Sequence, residues 1–536
     1  MKKALSVLLV LLMLVSLFAC NKTPDPGTSS SPPTNSTPPS GDTSKDSPKP
    51  NTPSDTPADP DAEKYGGILR IVNSAEGAAP IGLPWKTATL ESLLLAPFFE
   101  GLYIMRTDGV IEPNLASAWE VNMDANEIIV TLNPDIRFHD GSPLNAEAAG
   151  WNIMKGVEAK TVNQNIIGYE VRSDLELAVK FDIWSNAILS ALASLSLCSK
   201  EAYEKNGEDW AAENAVGTGP FIVTEYTRGQ VLKAERNPDY WRDGKPYLDG
   251  IEFHFIRDAM AQNMAIQAEG AQGIDVLNLN SAEQVSMLKD MGFDTFTLYT
   301  GPVSLYPSSM DESSPLSKVE VRKAIAYAID REALVAARGF GLYTPGDQWV
   351  ERNSIARLPD SYNITFDLEK SKQLLADAGY PDGFHTTLIT QPGVADKDST
   401  VALQKMLEAV GITSDLEFPD AGGYAALRAS GWDGICVAGA RQFAFVYNSF
   451  HLYFDNAQTF YVSVKRPDGW AEALDNASHT AEPEPEALQA VHKILLDNMM
   501  AIPVYNITDN WVFKPNVNDT YYGQFERGIL YDAWLS

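Results

Sequence analysis

The chain has 536 residues, a formal net charge of −30, 44% hydrophobic residues and three cysteines. That length admits three or four domains at ~150 residues each, and the apolar content suffices for a large core. The acidity speaks against a nucleic-acid binder and against adsorption to anionic lipid by charge, and three cysteines exclude a disulfide-dense scaffold.

Lys2 and Lys3 precede an uncharged run, Ala4 to Ala19, rich in Leu and Val. The run falls short of the ~20 residues a membrane-spanning helix needs. A charged start, a short apolar stretch and small residues at its end predict a secretory signal over residues 1–20. Its end, Leu17-Phe18-Ala19-Cys20, resembles the lipobox of bacterial lipoproteins, which implies that Cys20 is lipidated and becomes the new N-terminus. The bland alternative is an ordinary signal peptide that ends near a cysteine. Residues 21–62 hold 11 prolines and 15 serines or threonines, and no apolar residue larger than alanine apart from proline. Such a segment buries too little surface to offset its ordering entropy, so it is predicted to be disordered. As a flexible chain it would span ~35–40 Å, a tether between membrane and folded part. No other run is long and apolar enough to span a bilayer as a helix.

From Glu63 the composition is mixed. Ile68–Val72 reads as a strand after the Gly66-Gly67 pair, and Leu90–Tyr103 as an apolar helix ending near Gly101. Trp119–Phe138 contains a hairpin, with Ile128–Leu132 as one strand broken by Asn133-Pro134-Asp135. Asn145 opens a helix running through Gly156. Phe221–Val223 and Val231–Ala234 pair across Arg228-Gly229, and Ile251–Ile256 alternates as a half-buried strand. Val319–Val335 reads as one helix, with Val321, Ala324, Ile325, Ala328 and Ile329 on one face. Leu368–Ala378 is a helix capped by Asp367 and stopped by Gly379. Val401–Val410 and Glu484–Met500 are further helices, the second leading into a strand at Ile502–Tyr505. The alternation of strands and helices predicts an α/β or mixed class, without internal repeats.

Catalytic and metal signatures are missing. His139, His254, His385, His451, His479 and His492 form no HExxH or paired ligand spacing. There is no phosphate-binding glycine loop and no GxSxG. Some acidic pair among 71 will always imitate a glycosidase dyad, so that signal is empty. Cys198 and Cys436 are expected to be buried free thiols unless the fold brings them together. The expectation is a protein with no catalytic residue, no metal and no cofactor.

Several segments together resemble the peptide/nickel class of ABC-importer substrate-binding proteins, which includes the oligopeptide- and dipeptide-binding proteins (solute-binding family 5). They are Pro113-Asn-Leu-Ala-Ser-Ala-Trp-Glu120 with Ile136-Arg-Phe-His-Asp-Gly-Ser-Pro-Leu-Asn-Ala-Glu147, Gly217-Thr-Gly-Pro-Phe221, and Glu235-Arg-Asn-Pro-Asp-Tyr-Trp241 with Pro246-Tyr-Leu-Asp-Gly-Ile251. Further along come Gly273-Ile-Asp-Val276, Val321–Ala333 and Ala378-Gly-Tyr-Pro-Asp-Gly-Phe384. The matches run in family order from about Gly66 to Tyr505. The resemblance implies an α/β, periplasmic-binding-protein-like fold of two lobes (class II, cluster C type) with an extra inserted domain and a hinge. By the same resemblance, 63–101, 217–300 and 501–536 form the first lobe's core, 102–216 its inserted domain and 301–500 the second lobe. Crossings near 300 and 500 would act as the hinge.

In peptide-binding members an Asp in the second lobe pairs with the ligand's α-amino group. The corresponding stretch here is Val437–Phe445, after Gly431-Trp-Asp-Gly434, and no carboxylate occurs between Asp433 and Asp455. Arg441 stands there instead, suited to pair a carboxylate or other anion bidentately, and equally readable as an exposed loop residue or an interlobe salt bridge. Trp85, Tyr306, Trp349, Phe443 and Phe445 are aromatic candidates for the cleft, each equally readable as core. Trp119, Trp241 and Trp432 fall in scaffold motifs and read as core. The resemblance implies a monomeric, extracytoplasmic protein held to the membrane through Cys20. It would capture a small solute, with a short peptide as the default, and hand it to an ABC permease and its ATPase. An oligosaccharide or carboxylated metabolite is the rival ligand. A surface sensor that does not transport, or a surface hydrolase, are readings of another class.

Overall fold

A computed structural model describes residues 61–73, 80–86, 94–107, 109–270, 273–279, 281–395, 397–455, 460–480, 484–522 and 530–536. The signal sequence, Cys20 and nearly all of the tether lie outside the described residues. In chain order the strands are β1 (Ile68–Asn73), β2 (Tyr103–Met105), β3 (Ile111–Pro113), β4 (Ala116–Asn122), β5 (Glu127–Leu132), β6 (Ile166–Ser173), β7 (Glu176–Phe181), β8 (Phe221–Thr227), β9 (Val231–Arg236), β10 (Gly250–Phe255), β11 (Val276–Leu279), β12 (Asp294–Pro307), β13 (Thr344–Pro345), β14 (Phe384–Thr390), β15 (Ile412–Glu417), β16 (Ile435–Gly439) and β17 (Ile502–Phe513).

One mixed sheet carries the order β15-β14-β16-β12-β17-β11-β1-β10-β9-β8, with β13 beside β17. Among the described residues its two halves meet through β12 and β17, a long antiparallel pair running from Asp294↔Phe513 to Leu305↔Ile502. One end of this pair borders β11 and the other borders β16. The middle, around Leu298–Gly301 and Ile507–Asp509, is a two-stranded bridge between lobes, with register shifts at Tyr299/Gly301 and Val303/Ser304. Gly301 lies at φ +143°, where a Cβ would overlap the Ala440 carbonyl, so only glycine fits this crossing without strain.

The inserted segment forms its own antiparallel sheet, β4-β5-β7-β6. The helix Ala146–Glu158 packs on it, N-capped by Asn145, whose side chain accepts from the Ala148 amide at 2.9 Å. In the first lobe, β1 is parallel to both β10 and β11, and Leu69 and Ile71 are buried in its core. Two of the signature motifs converge there on one carboxylate. Buried Glu100 accepts hydrogen bonds from the Thr218 hydroxyl, the Tyr240 hydroxyl and the Trp241 indole, each at 2.9 Å. Burial raises its pKa despite these donors, so the motif residues act as scaffold.

Two expected elements differ. Leu90–Tyr103 is not one helix within the described residues: the turn ends at Phe98, and Tyr103 already belongs to β2. Pro97 removes a helical donor there. The helix expected at Val319–Val335 is two, Val319–Ala328 and Arg331–Arg338. Ile329 is extended, and Asp330 caps the second helix through the Ala333 amide. The buried Arg331 side chain donates to the carbonyls of Ala326, Ile329, Gly346 and Pro503, which closes the first helix and ties the break to β17.

Candidate functional site

The loop following β16 is held against the interlobe bridge by backbone bonds. Ala440 N–H donates to Pro302 O at 3.1 Å, and Gln442 N–H to Thr300 O at 2.8 Å. Two side chains from the helix Val446–Phe454 fix the loop further. The Tyr453 hydroxyl accepts from the Arg441 amide at 2.7 Å, and the Ser449 hydroxyl from the Phe443 amide at 2.9 Å. The result is a cavity of about 280 Å³ between the bridge, the second lobe and the inserted segment, lined by Arg441, Gln442, Phe443, Phe445, Tyr299 and Glu351 among others. Gly109 of the inserted segment closes one side, at φ +87°, where a Cβ would lie 3.0 Å from the Ala444 carbonyl.

Two charged side chains of this cavity, Arg441 and Glu351, form no ion pair among the described residues. Among the described residues, the Arg441 guanidinium makes no ion pair and no hydrogen bond. The Glu351 carboxylate likewise has neither, and burial raises its pKa. The Gln442 Nε2 is buried without a partner. Tyr299 donates to Asn506 Oδ1 at 3.3 Å, and burial with nearby Glu351 raises its hydroxyl well above the usual range. On the adjoining strand, Asp509 is raised by burial and drawn back by the positive charge of Arg441. Asp509 lines a second, larger cavity of about 780 Å³ that also borders the loop after β14. Aromatic surface with a guanidinium and a carboxylate that are not ion-paired suits binding of a charged organic solute.

Three of the candidates, Arg441, Phe443 and Phe445, come together on this one cavity. The other three do not, and the structure places them in packed cores. Tyr306 and Trp349 have no exposed surface. Tyr306 stacks on Tyr461 at 3.7 Å and accepts from the Trp349 indole at 3.3 Å. Trp349 also stacks on Phe450. Trp85 lies in the first-lobe core, edge-on to Trp151 and Tyr203. Large aromatics this well packed stabilise the lobes and leave no face for a ligand. Tyr299, Glu351, Gln442 and Asp509 escaped the sequence reading. Nothing local distinguishes Glu351 or Asp509 from the other acidic residues; only the fold brings them to the bridge.

The lobes touch away from this cavity as well. The Asn186 side chain donates to Ala477 O and Thr480 Oγ1, both at 3.0 Å, and the Trp184 indole to Thr480 O at 3.0 Å. Asn448 Nδ2 donates to Ser190 Oγ at 3.0 Å. These bonds join the inserted segment to the second lobe. Cys198 and Cys436 are free and buried, and burial pushes the Cys436 thiol up to about 12. Among the described residues no cluster of three or more His, Cys, Asp or Glu is arranged to hold a metal.

Residues 110–461 match the family described as bacterial extracellular solute-binding proteins, family 5 Middle. The chain is similar to the glutathione-binding protein GsiB of Salmonella typhi, 28% identical over 349 residues, which cover 63% of this chain and 67% of that protein. Its fold is similar to that of the ABC-transporter substrate-binding protein CtaP of Listeria monocytogenes, with a TM-score of 0.77 at 20% identity, covering 88% of this chain and 100% of the other. It is also similar to the periplasmic binding protein DppA of Helicobacter pylori in complex with the peptide STSA, with a TM-score of 0.72 at 18% identity over 88% and 99% of the two chains. The two-lobed mixed sheet, the cleft at its bridge and the match over most of the folded chain agree: this chain belongs to the family 5 solute-binding proteins of ABC importers.

Proposed function

We propose that this chain is a lipid-anchored extracytoplasmic receptor that captures a short peptide between its lobes and delivers it to an ABC permease. The observation that carries this reading is the unpaired Arg441 guanidinium in the bridge cavity, beside the unpartnered Gln442 amide. A guanidinium so placed grips a carboxylate, which every free peptide carries at its C-terminus. The family's Asp for the peptide amine is missing from the loop, so the carboxylate becomes the principal anchor. The first lobe comprises 63–101, 217–300 and 501–536, with 102–216 inserted and 301–500 as the second lobe. Bending at the β12–β17 bridge closes them over the solute. The strong net negative charge repels the folded part from anionic lipid, so attachment falls to a diacylglyceryl group on Cys20.

Native mass spectrometry and thermal shift of the purified chain against di- and tripeptide libraries and an oligosaccharide set test the ligand. A peptide at 100 times its Kd should stabilise the native state by ~2.7 kcal/mol. Arg441→Ala should weaken its binding tenfold or more. Stabilisation by oligosaccharides alone, or peptide binding indifferent to Arg441→Ala, would overturn the reading. A carboxylated metabolite that is not a peptide is the second reading, favoured by the same Arg441. It predicts binding of simple carboxylates without peptides.

A further inference from the structure

We infer that the bridge cavity recognises both ends of a short zwitterion, with Glu351 taking the ammonium group and Arg441 the carboxylate. The inference rests on the peptide reading above and goes on to place the amine. Glu351 and Arg441 line the same cavity, yet they are not paired with each other, nor with any other described residue. Two opposite charges in a half-closed pocket would normally meet in an ion pair or find separate partners. Here the neighbouring Arg352 and Arg357 are both committed to Asp347, which leaves Glu351 alone. Burial without a compensating charge raises the Glu351 carboxyl, as expected of a group waiting for a cation. A solute with separated positive and negative ends satisfies both groups at once, whereas a neutral sugar leaves both charges desolvated and unpaired.

The remaining surfaces fit the middle of such a ligand. Phe443 and Phe445 offer aromatic area, and the unpartnered Gln442 Nε2 offers a donor for a peptide carbonyl. A rounded cavity of about 280 Å³ is roughly 8 Å across, room for about two extended residues at ~3.3–3.6 Å each and part of a third. The amine recognition that the family builds into the loop after β16 is thereby moved to Glu351, in the segment that follows Trp349. The ligand class is a di- or tripeptide with both termini free.

The test is titration calorimetry of the full chain with the best binders from di- and tripeptide libraries, each as the free peptide, its N-acetyl form and its C-terminal amide. Either cap should weaken binding at least tenfold. Glu351→Gln should weaken the free peptide at least tenfold while binding free and N-acetyl forms alike. Arg441→Gln should likewise lose discrimination against the amide. Circular dichroism melts confirm that the variants fold, and the capped ligands test the wild-type chain without any variant. Free peptides that bind with no penalty for N-acetylation, or full discrimination retained by Glu351→Gln, would overturn the inference and leave peptide binding standing. No binding by any free peptide would remove the peptide reading itself, and this inference with it.

Discussion

His492 sits fully buried on the helix Pro485–Asp497. Its Nδ1–H donates to the Ala356 carbonyl at 2.9 Å, and among the described residues its Nε2 has no hydrogen-bond partner. Burial, with a smaller contribution from Arg357, lowers its pKa from 6.5 to about 4, against the partial compensation of the Ala356 bond. In the unfolded chain the imidazole takes a proton near 6.5; in the folded protein it stays neutral down to about 4. Between those values the unfolded state binds more protons, so stability falls as pH drops through this window. At ~1.4 kcal/mol per pH unit the loss reaches about 2 kcal/mol at pH 5 and about 3 at pH 4. Buried carboxyls with raised pKa, such as Glu100 and Asp275, act in the opposite direction. A comparison with His492→Phe cancels their contribution. That variant leaves the Ala356 carbonyl without its donor, so it is less stable than the wild type at pH 7, but it has nothing to protonate. Equilibrium urea unfolding at pH 7 and pH 5 should show the wild type's advantage shrinking by ~2 kcal/mol. An advantage constant to within ~0.5 kcal/mol would refute the assignment of a neutral, uncompensated imidazole in this core.

Two further predictions concern the bridge and the contact between lobes. Gly301→Ala should cost more than ~1 kcal/mol in denaturant unfolding, because its φ and the overlap with Ala440 O both oppose a side chain; a neutral result would show that the bridge bends freely there. Trp184→Phe removes the indole bond to Thr480 O while keeping the ring. If that bond forms only when the lobes close, apparent ligand affinity should fall roughly two- to tenfold, for about 0.5–1.5 kcal/mol, and the unliganded chain should be more extended by small-angle scattering. Unchanged affinity and dimensions would show that closure does not depend on this contact.

Local physics made much of the scaffold legible in advance. Asp367 caps the helix it was expected to cap and Asn145 caps the helix it was expected to open, because a short polar side chain before an apolar period satisfies a free amide wherever it occurs. The β8–β9 hairpin and the alternating β10 likewise follow from turn residues and period. The motif residues declared the family through their order along the chain. Their role stayed hidden until Thr218, Tyr240 and Trp241 were seen to meet on Glu100, more than a hundred residues away.

Apart from the stretch broken at Pro97, the failures share one cause, which is that distant partners decide them. A continuous apolar period predicts one helix across Ile329, but the Arg331 guanidinium reaches carbonyls of β17 and the Gly346 segment, and the helix breaks to allow it. Trp349 and Tyr306 have the right chemistry for a cleft, and nothing in their neighbours along the chain says that Phe450 and Tyr461 will cover them. For Arg441 the residue type announced an anion partner. Only the tertiary structure shows it without a salt bridge, in the same cavity as an equally unpaired Glu351. Elements governed by neighbours within a few residues were thus written in the sequence. The cleft was decided by the crossing of β12 and β17, because its charges and aromatics come from segments that meet only there.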